Sequence, residues 1–187
     1  PNGEVKAILE KLREKHGSSF VPKTTLTKPV GAPGQGQSLD KNIKVANSLF
    51  DSIGWMMGVD GIRSKNGKRM TIKLVLNSPL FQRIVEPYKN NLKKIGVELD
   101  IKVVQIAKYE EILRNFNFDM IVANYPQSRS PGNEQRSMWS TEASSTPGSR
   151  NYMGVKNPAV DELINTIVEA KSRKDLINSI QAMDRIL

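Results

Sequence analysis

Val5, Ile8, Leu9 and Leu12 recur at the three- and four-residue spacing of one helix face, which predicts a short amphipathic helix over residues 4–15 ending at His16-Gly17. After it the apolar periodicity stops. Pro22, Pro29 and Pro33, with the string Gly31-Ala32-Pro33-Gly34-Gln35-Gly36, predict that residues 18–37 run as an extended surface arm, neither helix nor central strand. Ser38 then stands at an N-cap, and Ile43, Ala46, Leu49, Phe50 and Ile53 mark the buried stripe of a second helix that stops at Gly54. Residues 55–62 and 70–76 flank Ser64-Lys65-Asn66-Gly67 and predict a hairpin, because Asn-Gly supplies the positive φ angles of a tight turn.

The middle of the chain alternates between two periods. Ile72, Leu74 and Leu76 alternate as a strand; Phe81, Ile84, Val85, Tyr88, Leu92 and Ile95 mark a helix that ends at Gly96; Leu99, Ile101 and Val103 alternate again. Tyr109, Ile112, Leu113 and Phe116 mark a further helix, and residues 118–123 a third strand. Strand, helix, strand, helix, strand predicts crossover connections and a parallel sheet. Pro87 removes a hydrogen bond inside the first of these helices and predicts a kink. Residues 124–156 carry no period, so they read as one loop far longer than the roughly four to six residues of an ordinary connection. Two helices follow. Asn157-Pro158 starts one, with Val160, Leu163, Ile164 and Ile167 on one face; Ser172 with Asp175 forms a capping box before Leu176, Ile177, Ile180, Met183 and Leu187.

Composition narrows the possibilities. The chain has 187 residues, 38% hydrophobic and 25% charged, which suits a packed core rather than a disordered chain. No apolar run approaches the roughly 20 residues that span a bilayer. With 28 Lys and Arg against 19 acids the net charge is +9, which raises a basic nucleic-acid-binding α/β module as an alternative. The basic residues are scattered singly or in pairs such as Lys93-Lys94 and Lys68-Arg69, with no arginine run or aromatic platform, so a solvated basic surface is favoured. Pro1-Asn2-Gly3 at one end and a helical pattern still running at Leu187 are expected of an excised piece of something longer.

Catalytic chemistry is sparse. There is no cysteine, and the one histidine, His16, is expected to be solvated at its helix end rather than to act as a base. The acids do not cluster as metal ligands, and Gly31, Gly34 and Gly36 follow no strand and lack a phosphate-binding loop's spacing. Ser78-Pro79 reads as a helix start, not a nucleophile elbow. No catalytic residue, metal or cofactor is therefore expected, and the chain is not expected to be an enzyme. In open α/β sheets ligands sit beyond the carboxyl ends of the strands, which selects Asn77, Ser78, Asn124 and Tyr125. The loop beyond adds Gln127, Ser128, Arg129, Asn133 and Glu134, and Trp139 offers an apolar wall with one N–H donor. The plainer alternative is a solvated loop in which Trp139 is a local core anchor.

The strings Phe118-Asp119-Met120, Asn124-Tyr125-Pro126, Ser130-Pro131-Gly132-Asn133-Glu134-Gln135-Arg136, Pro147-Gly148-Ser149-Arg150-Asn151-Tyr152 and Asn157-Pro158-Ala159-Val160-Asp161-Glu162-Leu163-Ile164 resemble the family 5 extracellular solute-binding proteins. Leu76-Asn77-Ser78-Pro79, Arg83-Ile84-Val85-Glu86-Pro87 and Leu92-Lys93-Lys94-Ile95-Gly96-Val97 fit the same oligopeptide and microcin C-type, YejA-like branch. The resemblance implies an α/β lobe like the type II periplasmic binding proteins, a small mostly parallel sheet flanked by helices, with a β-hairpin. Residues 1–37 are expected to form a helix and arm, and residues 38–187 the lobe. It further implies a periplasmic protein, its signal peptide absent from this chain, whose two lobes close on a ligand by hinge motion. The implied partners are a peptide or peptide-like solute, ABC permease subunits and a missing first lobe of the same chain, with no nucleic acid. Many relatives use an aspartate in an Ala-Asp-Tyr string for the ligand's amine, where this chain has Ala123-Asn124-Tyr125. Glu134 is the expected replacement charge if a peptide amine is bound; the alternative is that Arg129 or Arg150 meets a ligand carboxylate instead.

Overall fold

The computed structural model describes residues 1–27 and 35–187. Pro29, Gly31, Ala32, Pro33 and Gly34 of the expected arm lie outside those residues. The first backbone N–H groups of a helix have no partner within it, and side chains supply one here. Asn2 Oδ1 accepts from Val5 N at 2.8 Å before α1 (Gly3–His16), and Ser38 Oγ accepts from Lys41 N before α2 (Leu39–Ser52). Asn157 Oδ1 accepts from Ala159 N at 2.9 Å, with Pro158 opening α6 (Pro158–Val168). Ser172 Oγ accepts from Asp175 N and donates to Asp175 Oδ2 ahead of α7 (Arg173–Ile186).

Contacts divide the chain into two compact units, Pro1–Gly31 with Tyr125–Leu187, and Ala32–Asn124. This is not the division expected at residues 37 and 38, because α1 packs on α6 and α7. In this helical unit Val5, Leu9 and Leu12 of α1 meet Val160, Leu163 and Ile164 of α6 in one core. Burying each such side chain stabilises by about 1.5–3 kcal/mol relative to leaving it exposed. Residues 18–27 are mostly exposed, as a surface segment should be, but they are anchored: Val21 is 0% exposed and Lys23–Leu26 make a 3-10 turn with Thr25 buried. His16 is not solvated either. Its Nε2 lies 2.8 Å from Glu162 Oε2, which also accepts from Lys15 Nζ at 2.7 Å.

Residues 124–156 contain structure that periodicity misses. The helix α5 (Glu134–Trp139) and a 3-10 turn, Glu142–Ser145, interrupt the expected loop. Six residues are under two turns, too few to show a period. Asn151, 1% exposed, stitches the rest together by donating to Ser140 O and Val155 O and accepting from Val155 N.

In the other unit three parallel strands lie in the order β5-β4-β6: β4 (Thr71–Leu76) between β5 (Glu98–Val103) and β6 (Met120–Ile121). Leu74 is in register with Ile101 on one side and Met120 on the other. The crossovers are α3 (Pro79–Lys93), packed on β4 and β5, and α4 (Ile106–Arg114). The fold class expected from the sequence, α/β with a small parallel sheet, is present. The third strand is shorter than expected, and α3 continues through Pro87. An antiparallel ribbon of β1 (Met56–Met57), β2 (Arg63–Lys65) and β3 (Lys68–Arg69) completes the unit. Its hairpin turns on Asn66 and Gly67, at φ 51° and 75°, but the arms are shorter than expected since residues 58–62 form a second turn and β4 joins the parallel sheet.

Arg63 organises this ribbon. It is 1% exposed and donates to Ile95 O, Asp51 Oδ1, Trp55 O and Asn47 Oδ1, with its guanidinium 5.2 Å from the Phe50 ring centre. Gly96, at φ 78°, accommodates it: a Cβ there would stand 2.6 Å from Arg63 Cγ. The stripe predicted as buried on α2 is not, since Leu49 and Ile53 are 62% and 56% exposed. Periodicity identifies a face, not what covers it.

Candidate functional site

The helical unit carries a groove of about 510 Å³ between the 125–139 segment and one face of α7. Tyr125 and Trp139 form its wall, their rings stacked at 4.9 Å and 21°. Two contacts hold Tyr125 from behind: its hydroxyl donates to Arg150 O at 3.1 Å, and the Arg150 guanidinium lies 5.6 Å from its ring centre. Burial pushes the Tyr125 phenol above its ordinary value. It stays a neutral donor.

An amide chain fixes the wall's other half. Trp139 Nε1 donates to Gln135 Oε1 at 3.1 Å, and Gln135 Nε2 donates to Gln127 Oε1 at 2.7 Å and Glu134 Oε1 at 3.2 Å. Glu134 Oε1 also accepts from Gly132 N at 2.9 Å, and this backbone N–H is the main reason its carboxyl lies below the ordinary value. Gln135 is 1% exposed, so its amide has exchanged water for these partners and fixes their positions. Arg173, at the start of α7, donates to Arg129 O and to Ser130 Oγ, tying the segment to the helix.

The predicted residues separate by place. Tyr125, Gln127, Ser128, Arg129 and Trp139 line the groove. Asn133 sits exposed at the start of α5, Glu134 is turned to Gly132 and Gln135, and Arg150 stands behind Tyr125. Asn77, Ser78 and Asn124 belong to the sheet unit, where Ser78 Oγ caps α3 by accepting from Leu80 N. Trp139 is both wall and core anchor, 9% exposed with its N–H already bonded, so it has no donor left for a ligand.

Sequence reasoning missed the opposite wall, where Ile177, Ile180, Gln181 and Asp184 of α7 face the groove. Its apolar members were visible as a helix stripe, but a stripe lining a groove has the same spacing as one in a core. Chemically the groove offers an aromatic and aliphatic floor with guanidinium, amide and carboxylate groups at its rim. Among the described residues no group of three or more His, Cys, Asp and Glu is placed to hold a metal ion, and no helix is long and apolar enough to cross a membrane.

Known proteins share this chain's sequence and fold. It is 36% identical over 171 residues to the uncharacterized protein y4wM of Sinorhizobium fredii, covering 90% of this chain and 26% of the relative. It is 30% identical over 190 residues to the probable peptide-binding protein YejA of Agrobacterium fabrum, covering 100% of this chain and 30% of that one. The chain thus spans under a third of these relatives' length. The oligopeptide-binding protein AppA of Bacillus subtilis, solved with a nonapeptide, has the same fold with a TM-score of 0.64 at 22% identity, over 96% of this chain and 38% of AppA. Residues 5–147 match the middle of the bacterial extracellular solute-binding proteins, family 5, and the chain belongs to that family.

Proposed function

We propose that this chain is a ligand-binding lobe of an extracytoplasmic solute-binding protein that delivers peptides or peptide-like solutes to an ABC permease. In this reading a longer polypeptide supplies the first lobe, and Tyr125, Gln127, Ser128, Arg129 and Trp139 contact the ligand from the second. The observation that carries it is the groove itself: a stacked aromatic wall held from behind, with side-chain polar groups at its rim. Peptides suit such a surface, because apolar side chains take the floor while backbone amides meet Gln127 and Ser128. The related Agrobacterium protein is named for peptide binding, and AppA was solved with a nonapeptide. Binding and release, without chemistry on the ligand, is the role this site supports.

The nucleic-acid alternative requires a basic surface interleaved with stacking platforms, and the Tyr125–Trp139 pair stacks internally instead. Calorimetry on the full-length receptor separates the two. Peptide binding is expected, with no measurable affinity for duplex or single-stranded DNA. The 187-residue chain alone should bind about tenfold more weakly or worse, since a ligand held by two lobes loses contacts when one is removed. Salt-sensitive DNA binding without peptide binding would overturn the proposal.

A further inference from the structure

The helix α3 has two apolar sides, and the sheet uses one of them. Val85 and Leu92 pack against the cluster of Leu74, Leu76 and Leu99. Leu80, Ile84 and Tyr88 recur four residues apart, which sets them in one row on the neighbouring side of the helix, and they are 74%, 71% and 46% exposed. Basic residues border this row. Arg83 and Lys94 fall on its outer edge, away from the sheet, and Lys89 and Lys93 lie further around the helix. Among the described residues none of these four has an ion-pair or hydrogen-bond partner for its side chain. Glu86 is the one acid between Pro79 and Lys94. The exposed face of α2 differs in this respect, because its Lys41 and Lys44 are matched by Asp40 and Asp51.

We infer that α3 is a docking surface for an anionic phospholipid membrane, with Leu80, Ile84 and Tyr88 set into the headgroup boundary and Arg83 and Lys94 reaching the lipid phosphates. Shallow insertion of this kind asks for an amphipathic helix with apolar side chains in a row and cations beside them. The row supplies affinity without a spanning segment, and the cations confine it to surfaces that carry negative charge. Tyr88 suits the boundary because its ring is apolar and its hydroxyl polar. The unpaired cations beside the row favour an anionic surface over a neutral apolar partner. A receptor held loosely at the bilayer would reach its permease along the membrane surface, so the contact goes beyond solute binding and does not depend on which solute is carried.

Vesicle flotation of the full-length receptor tests this, with phosphatidylglycerol-rich vesicles set against pure phosphatidylcholine. Binding is expected to the first only, and it should fall as the salt concentration rises. Leu80→Ser combined with Ile84→Ser should weaken it about tenfold or more, as the apolar row is lost. Arg83→Gln and Lys94→Gln should each weaken it about fivefold. Leu49→Ser, on the exposed but charge-balanced face of α2, should leave it unchanged. All five side chains are exposed, and thermal melting of the variants guards against a folding defect. No binding to phosphatidylglycerol vesicles, equal binding to phosphatidylcholine, binding untouched by the α3 variants, or an equal loss with Leu49→Ser would each overturn the inference. Peptide calorimetry reads the receptor proposal independently, so a failed membrane contact leaves that reading standing.

Discussion

In the helical unit Leu9, Val160 and Ile164 are each 1% exposed or less, whereas in the sheet unit Leu49 and Ile84, on equally periodic helices, are 62% and 71% exposed. The sheet unit's buried cluster is Leu74, Leu76 and Leu99, and neither α2 nor α3 buries a residue. The same sequence pattern therefore has two outcomes. Where helices cover one another, apolar area leaves water and the unit is fastened by packing; α2 is held instead by the directional contacts of Arg63. The groove is built on the packed unit, which suits a site whose aromatic wall must keep its position without a ligand.

The largest effect that could break this contrast is a core deletion. Leu163→Ala, at 2% exposure among α1 and α6 side chains, is expected to cost about 3–5 kcal/mol through lost transfer energy and the cavity left behind. Leu49→Ala on α2 should stay within about 0.5 kcal/mol. Denaturant unfolding measures both. Equal costs would mean that the exposed stripe is covered, and the two units would no longer differ in kind.

What the sequence shows in advance follows the range of the interaction involved. Caps and turns are local, so Ser38, Asn157-Pro158, Ser172 with Asp175, and Asn66-Gly67 all stand where their neighbours predict. The strand and helix periods of residues 72–116 depend on neighbours a few positions away, and they too give the parallel sheet. Arg63 has no such local signal: its partners Asn47, Asp51 and Ile95 come together only on folding. The same is true of α1 joining residues 125–187, separated from it by the whole sheet unit. Half of the groove was legible, from Tyr125 to Trp139, because strand ends and an aromatic–amide segment attract functional readings. The α7 half was not, because Ile177 and Ile180 read as ordinary core.

Arg63→Ala is the matching perturbation for the sheet unit. It removes the donors that satisfy Ile95 O and Trp55 O and strands Asp51, whose side chain is 54% exposed and can rehydrate. The expected loss is therefore about 2–3 kcal/mol, below that of breaking a fully buried pair. Hydrogen exchange should show α2 opening while α1, α6 and α7 keep their protection. Loss of protection in both units together would contradict the division of labour between packing and polar contacts.

The smallest effect concerns charge within the helical unit. Lys15 Nζ and, after it, His16 Nε2 hydrogen-bond Glu162 Oε2 at 2.7 and 2.8 Å, holding its carboxyl below the ordinary value and tying α1 to α6. Because the folded-state value is depressed, the stabilisation is present above the unfolded carboxylate value and is lost as the pH falls through the folded one. The Lys15 and Glu162 side chains are 60% and 32% exposed, so solvent screens the pair and Glu162→Gln should cost less than about 1 kcal/mol at neutral pH. Melting curves of the parent and the variant should therefore differ slightly at neutral pH and converge in acid, below the ordinary carboxylate range. A gap that persists there would assign Glu162 a packing role. A gap as large at neutral pH as that of Leu163→Ala would mean that charge, not the core, fastens α1 to α6.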